Sequence, residues 1–217
     1  MQALEPQLRS GLAALHLTLT EPQVAALMAY LALIQKWNKV YNLTAVRDPQ
    51  EMLTHHLLDS LAVIAPLRRQ LEGQPIPAAG WRLLDVGSGA GLPGVVIAIC
   101  CPDIRVDCVD TVGKKAAFIQ QAAVTLKLAN LRGVHARVES LTESYQVISS
   151  RAFASLLDFT SWSRQALAEQ GVWMAMKGKH PAEEMAALPV DVKMFHVEPL
   201  LVPGLDAERC LLWLQLV

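Results

Sequence analysis

Through the first 80 residues the apolar positions recur every three or four residues. Val24, Leu27, Met28, Leu31 and Ile34 fall on one helical stripe, and Thr20 with Gln23 makes a capping-box start before them. The spacing predicts a helix from there to about Trp37. Asp48-Pro49-Gln50-Glu51 is a second start signal, with an N-cap acid and proline at the first helical position. Leu53, Leu57, Leu61 and Ile64 then line one face. The segment Gly73–Gly80, with Pro75 and Pro77, reads as a loop.

From Trp81 the rhythm changes to short apolar runs alternating with helical stretches, the pattern of a parallel sheet covered on both faces. Strands are predicted at Arg82–Val86, Arg105–Val109, Leu131–Ala136, Gln146–Ser149, Gly171–Met176, Asp191–Val197 and Cys210–Val217. Helices are predicted at Pro93–Cys100, Lys114–Leu128, Leu156–Glu169 and Pro181–Ala187. Only Glu198–Arg209 separates the last two strands, too short for a crossover helix, so they should form an antiparallel pair. The expected architecture is an α/β, Rossmann-like sheet of seven strands, mostly parallel with an antiparallel final strand. A helical extension over residues 1–80 precedes the sheet domain at 81–217.

Composition narrows the class. The chain has 217 residues, 53% hydrophobic and 18% charged, as an ordinary compact domain does. Its longest apolar runs, Leu92–Cys101 and Cys210–Leu214, are too short to span a bilayer, and Met1–Ser10 has no signal-peptide pattern. A cytoplasmic monomer is the expectation. The four cysteines show no metal-ligand spacing and read as buried thiols. Net charge is −1, and residues 1–80 hold six Lys/Arg against six Asp/Glu, so any nucleic-acid contact would need a local patch.

The chemistry concentrates in Leu83-Leu84-Asp85-Val86-Gly87-Ser88-Gly89-Ala90-Gly91-Leu92-Pro93-Gly94, where a strand runs through a glycine loop into a helix. Glycines allow sharp turning and close approach of a ligand to the main chain, and a helix start presents free N–H groups. Gly89 to Gly94 matches the dinucleotide pattern GxGxxG, a weak signal alone. Asp85 turns the reading toward S-adenosylmethionine, since a carboxylate suits its amino group and sulfonium and opposes a pyrophosphate. The absence of a second catalytic domain agrees. Asp110, about 20 residues past the loop, is placed to accept both ribose hydroxyls, with Asp107 the competing acid. Arg137 and Glu139 follow the third strand, where a loop would cross the adenine.

Trp37-Asn38-Lys39-Val40-Tyr41-Asn42-Leu43-Thr44-Ala45-Val46-Arg47-Asp48-Pro49 resembles a signature segment of the ribosomal RNA small subunit methyltransferase G family, also called glucose-inhibited division protein B. The resemblance continues through His56-Leu57-Leu58-Asp59-Ser60, Gly87–Gly94, Asp110 with Lys114-Lys115, Arg137-Val138-Glu139 and Ser150-Arg151-Ala152-Phe153-Ala154, from about Leu19 to Arg209. It implies methylation of N7 of a guanine, position 527 in the 530 loop of 16S rRNA, within the small ribosomal subunit or an assembly intermediate. It also implies that Asn42, Arg151, Lys177 and Arg209 act at the substrate. Asp85, Gly87, Ser88, Gly89, Gly91, Leu92, Asp110, Val138, Glu139 and Arg151 would hold S-adenosylmethionine, and Arg137, Lys114, Lys115 and Lys179 would touch RNA. His55 stands where the family more often has Arg, and Leu214–Val217 stands where a basic tail is expected.

The residues suit that chemistry. Guanine N7 has an in-plane lone pair and no proton, so alignment rather than a general base is required. Carbon-5 pyrimidine methylation would need a cysteine nucleophile. Lys177-Gly178-Lys179-His180 follows the C-terminal end of a strand, the ligand-binding edge of an open α/β sheet. Three alternatives stand beside this reading: a methyltransferase for a small molecule or protein, a non-catalytic S-adenosylmethionine-binding factor, and an NAD enzyme. Several residues also have an ordinary structural reading. Trp37 and Tyr41 suit the core as well as RNA stacking, Asn42 suits a turn, and His56 and Lys114-Lys115 suit packing and a solvated face.

Overall fold

The computed structural model describes residues 2–179 and 181–217; His180 of the Lys177–His180 segment lies outside the described residues. Two helices, α1 (Glu5–Ala14) and α2 (Glu21–Tyr41), open the chain. At the start of α2 the Thr20 backbone N–H donates to Gln23 Oε1 at 2.9 Å. The Gln23 amide also reaches the Ile99 carbonyl at 3.0 Å, tying α2 to the helix after the glycine loop. The helix runs four residues past the predicted end and stops at Asn42, which is left-handed at φ 49°. Lys39, Val40 and Tyr41 are exposed, so apolar periodicity could not mark that last turn.

Asp48 caps the next segment, its Oδ1 accepting from Gln50 N at 2.9 Å and Glu51 N at 3.0 Å. The predicted single helix is in fact α3 (Pro49–Met52), a π-helical stretch (Leu53–Leu58), α4 (Asp59–Leu61) and α5 (Ile64–Leu71). The stripe Leu53, Leu57, Leu61 and Ile64 is buried as predicted. A π-helical stretch adds a residue to the turn and re-aims the side chains beyond it, which is why such turns gather at functional sites.

Seven strands come next: β1 (Trp81–Val86), β2 (Ile104–Asp110), β3 (Leu131–His135), β4 (Tyr145–Arg151), β5 (Leu167–Lys177), β6 (Val192–Pro199) and β7 (Cys210–Leu216). They form one sheet in the order β3-β2-β1-β4-β5-β7-β6. All pairings are parallel except those of β7, which runs antiparallel to both β5 and β6. The expected seven-stranded methyltransferase sheet with an antiparallel final strand is therefore present. Helices α6 (Gly94–Cys100) and α7 (Gly113–Thr125) cover one face, while α8 (Leu156–Ser163) covers the other and α9 (Ala182–Ala186) lies between β5 and β6. The predicted helix Leu156–Glu169 is too long: α8 stops at Ser163, and after a 3-10 turn Leu167 pairs with Tyr145 across an irregular register as the start of β5. A buried hydrogen bond from Trp173 Nε1 to Ser163 Oγ, 2.9 Å, fastens that corner.

The N-terminal helices are packed into the same core as the sheet, with Leu27, Leu57 and Leu61 joining Val95, Val106 and Phe118. That packing brings residues from the first 80 against the carboxyl edge of the strands. No described helix is long and apolar enough to cross a membrane.

Candidate active site

At the end of β1 the chain turns through Gly87, Gly89 and Gly91, all with positive φ (64°, 59° and 86°). Side chains disfavour that region, and a Cβ on Gly87 would overlap the Phe153 ring. Asp85 does not line the adjoining cleft. It is fully buried beneath the loop, where Oδ2 accepts from Gly94 N and Oδ1 from Ser149 Oγ, each at 2.9 Å. Burial pushes its pKa up to about 6, against those two bonds. Asp85 therefore braces the glycine loop to α6 and β4, which corrects its expected place at the cofactor's cations. From the other side, Tyr30 of α2 donates to the Ala90 carbonyl at 2.5 Å. Gly91 abuts Tyr30 and Val95, and Leu92 is core; neither lines the cleft.

A cleft of about 440 Å³ opens over the carboxyl ends of β1 to β4. Asp110, at the end of β2, stands in it. Gly89 N donates to Asp110 Oδ2 at 3.0 Å and Val112 N to Oδ1 at 2.8 Å, so the loop and this acid fix each other. Lys115 Nζ lies 3.6 Å from Asp110 and also lines the cleft, as does Arg137. Gly87, Val138 and Glu139 line it too. Arg137 donates to Glu139 at 2.7 Å and holds that carboxyl below its usual range. Asp107, the competing acid, is held by Arg132 and by Tyr145 Oη away from this cleft. Ser88 and Gly89 supply backbone and sit behind the wall, with Ser88 Oγ buried and unpartnered.

Sequence reasoning missed the far wall. Phe153 and Trp162 meet edge-on with centroids 5.9 Å apart, and together with Thr111, Val112 and Ala136 they shape the cleft. Phe153 is held by a bent exit from β4, where Ala152 (φ 52°) and Ala154 (φ 34°) are both left-handed. Non-glycine residues in that region carry strain, which gathers at functional sites.

A second cleft, about 280 Å³, shares Ala152 with the first and is lined by Asp59, Arg151, Met176, Lys177, Gly178 and Arg209. Of its three cations, Arg151 and Arg209 face the Asp59 carboxylate, while Lys177 has a partner of its own in Glu184. Asp59, 2% exposed, follows the π-helical stretch and accepts from Arg151 NH1 and Arg209 Nε, each at 2.8 Å. Arg151 also donates to the His55 carbonyl at 2.7 Å. Lys177, at the end of β5, is held by Glu184 at 2.8 Å. A buried ion pair with further hydrogen bonds fixes side-chain geometry more surely than it adds stability. Asp59 carried no role in the sequence reading, although it sits within the stretch His56–Ser60 that shares in the family resemblance. His56 beside it bonds to Thr44 Oγ1 at 2.8 Å, and burial, with Arg151 nearby, lowers its pKa to about 4. It is a neutral structural residue.

The structure brings Arg151, Lys177 and Arg209 together but leaves other expected residues apart. Asn42 is an exposed helix cap, the ordinary reading of that residue, and lines neither cleft. Lys114 and Lys179 are exposed, and Arg151 belongs to the second cleft and not to the first. Among the described residues no cluster of three His, Cys, Asp or Glu could hold a metal.

Comparison with known proteins bears on the family and the fold. A family model described as rRNA small subunit methyltransferase G matches residues 23–212. A protein of Albidiferax ferrireducens named ribosomal RNA small subunit methyltransferase G is 69% identical across 99% of this chain and 98% of its own length. One of Acidovorax sp. with the same name is 68% identical across 98% and 96%. Among solved structures, TrmN from Thermus thermophilus superposes with a TM-score of 0.57 at 18% identity, covering 76% of this chain and 53% of that one. Coclaurine N-methyltransferase bound to N-methylheliamine and SAH gives 0.55 at 13% identity, covering 92% and 73%. These structural likenesses speak for the fold alone.

Proposed function

The chain belongs to the rRNA small subunit methyltransferase G family, the S-adenosylmethionine-dependent enzymes of 16S rRNA, and from that premise we propose how its two clefts divide the work on N7 of a guanine in the 530 loop. The observation that carries the proposal is the sharing of Ala152 by an acid-bearing cleft on the glycine-loop side and a cation-lined cleft beside it.

The first cleft fits the cofactor on its own features. Its volume is in the range of small-molecule sites. It has a glycine turn that admits close approach and, at the end of β2, a carboxylate oriented by backbone N–H groups. The bound cofactor supplies a methyl group on a sulfonium. Asp110 would accept from the ribose hydroxyls, and Val138 and Glu139 would border the adenine. Phe153 and Trp162 keep water from the reacting face. In the second cleft Arg151, Lys177 and Arg209 hold a phosphate or guanine O6, leaving N7 free to attack. No proton is on N7, so no side chain need act as base, and a neutral His56 is consistent with that. The main catalytic contribution is alignment across the Ala152 junction.

In this reading residues 1–80 are the substrate-side extension of a methyltransferase domain at 81–217. The protein works as a cytoplasmic monomer on small subunits or their assembly intermediates. The test is transfer of labelled methyl from S-adenosylmethionine to small subunits lacking the modification, with the site mapped by borohydride and aniline cleavage. Cleavage at one guanine of the 530 loop is expected. Cofactor binding without transfer to subunits or their RNA would overturn the proposal and favour a small-molecule or protein substrate.

A further inference from the structure

The chain is nearly neutral overall, yet its charge is unevenly spread. Between Pro22 and Arg47, and again between Thr111 and Val138, there is no Asp or Glu. The fold packs these two stretches together: Trp37 of α2 meets Phe118 of α7 edge-on, with centroids 5.5 Å apart. On the outer side the two helices border a groove of about 470 Å³ formed by Leu33, Lys36, Trp37, Val40, Gln121 and Thr125, with Tyr41 at its end. Val40 is 71% exposed and Tyr41 39%, and the Tyr41 ring lies 5.1 Å from that of Trp37. Lys36 and Lys39 form no ion pair among the described residues, in contrast to Lys115, Lys177 and most arginines. Lys114 lies on the same stripe of α7 as Gln121, seven residues on.

An exposed aromatic step beside uncompensated lysines, with no acid lining the groove, matches what single-stranded nucleic acid requires. Bases stack on the rings and phosphates meet the cations. A protein partner of acidic character would satisfy the lysines but would have no use for the two aromatic rings lining the groove. We propose that the groove between α2 and α7 is a second RNA-contact surface, which takes an unpaired nucleotide of the substrate RNA outside the methyl-transfer clefts. The proposal rests on the RNA-methyltransferase reading of the two clefts.

The test compares wild type with Lys36→Gln/Lys39→Gln and with Tyr41→Ala for equilibrium binding to a protein-free fragment of the small-subunit rRNA over a series of salt concentrations. The melting temperature of each variant, with and without S-adenosylmethionine, reports folding and the cofactor cleft. Tyr41→Ala should bind about tenfold more weakly. The double lysine variant should show a salt slope lower by about 1 for each phosphate it no longer neutralises. Melting temperature and its rise with cofactor should be those of wild type. Unchanged affinity and slope would overturn the proposal, and so would weaker binding to ribosomal particles with unchanged binding to bare RNA, which would identify a protein partner. Binding is measured apart from transfer, so failure of wild type to methylate subunits would count against the catalytic reading only.

Discussion

The cleft beside the glycine loop takes its walls from strand ends and the loops that leave them, whereas the adjoining cleft collects Asp59, Arg151, Lys177 and Arg209 from four distant parts of the chain. In the first, each functional group sits within a few residues of the turn that aims it: Gly87 after β1, Asp110 at the end of β2, Val138 after β3. In the second, the aiming is done by tertiary packing. The π-helical stretch presents Asp59, which holds Arg151 of β4 and the Arg209 that precedes β7. A locally built site can be damaged by backbone strain, and an assembled one by removing a charge.

The sharpest way to separate the two is Arg151→Ala. Loss of a preorganised cation at the transfer junction should lower the methylation rate by about 100-fold, while calorimetry finds S-adenosylmethionine affinity within about threefold of wild type. A rate loss below threefold would remove Arg151 from the substrate machinery. Next in size is Gly87→Ala, which strains a left-handed backbone and presses on Phe153. Cofactor affinity should fall by on the order of tenfold, and saturating cofactor should restore most of the rate. If Gly87→Ala left cofactor affinity intact, the first cleft would not be the binding site.

The smallest expected effect concerns the braces under both clefts. Asp85 has a raised pKa, about 6, so the folded chain holds its proton more tightly than the unfolded one. Its contribution to stability is complete at low pH and declines as pH rises from about 4 to about 6. His56 is lowered to about 4, so its contribution is present above about 6.5 and is lost as pH falls toward 4. Each amounts to ~3 kcal/mol at most, and the two oppose one another. These two contributions should largely cancel in wild type over this window, so each variant is read as its difference from wild type in denaturant unfolding. Asp85→Asn should lose stability on acidification, and His56→Gln should gain it. Parallel curves for the two variants would show that these groups do not titrate as their surroundings imply.

The same contrast explains how much could be read from the sequence. Strand positions and the antiparallel end of the sheet were legible because buried strands and short connections leave local patterns. The overrun of α8 into β5 was not, because Leu167 is apolar in either structure and only its pairing with Tyr145 decides. Gly87 and Asp110 were legible from the loop chemistry. Asp85 lies fully buried under the loop and off the cleft that Asp110 lines, a placement that charge complementarity alone could not reveal. Arg151 and Arg209 came only through family resemblance, and Lys177 also from its place at the end of a strand, because no spacing links residues brought together by the fold. Asp59 and the wall of Phe153 and Trp162 left no separate signal.

The most direct test of the account is a crystal structure with S-adenosylhomocysteine bound. It should show both ribose hydroxyls within hydrogen-bond distance of Asp110, and the sulfur at Ala152 facing the cleft of Arg151, Lys177 and Arg209. A ribose away from Asp110, or a sulfur pointing away from that cation-lined cleft, would contradict the division of labour between the two clefts.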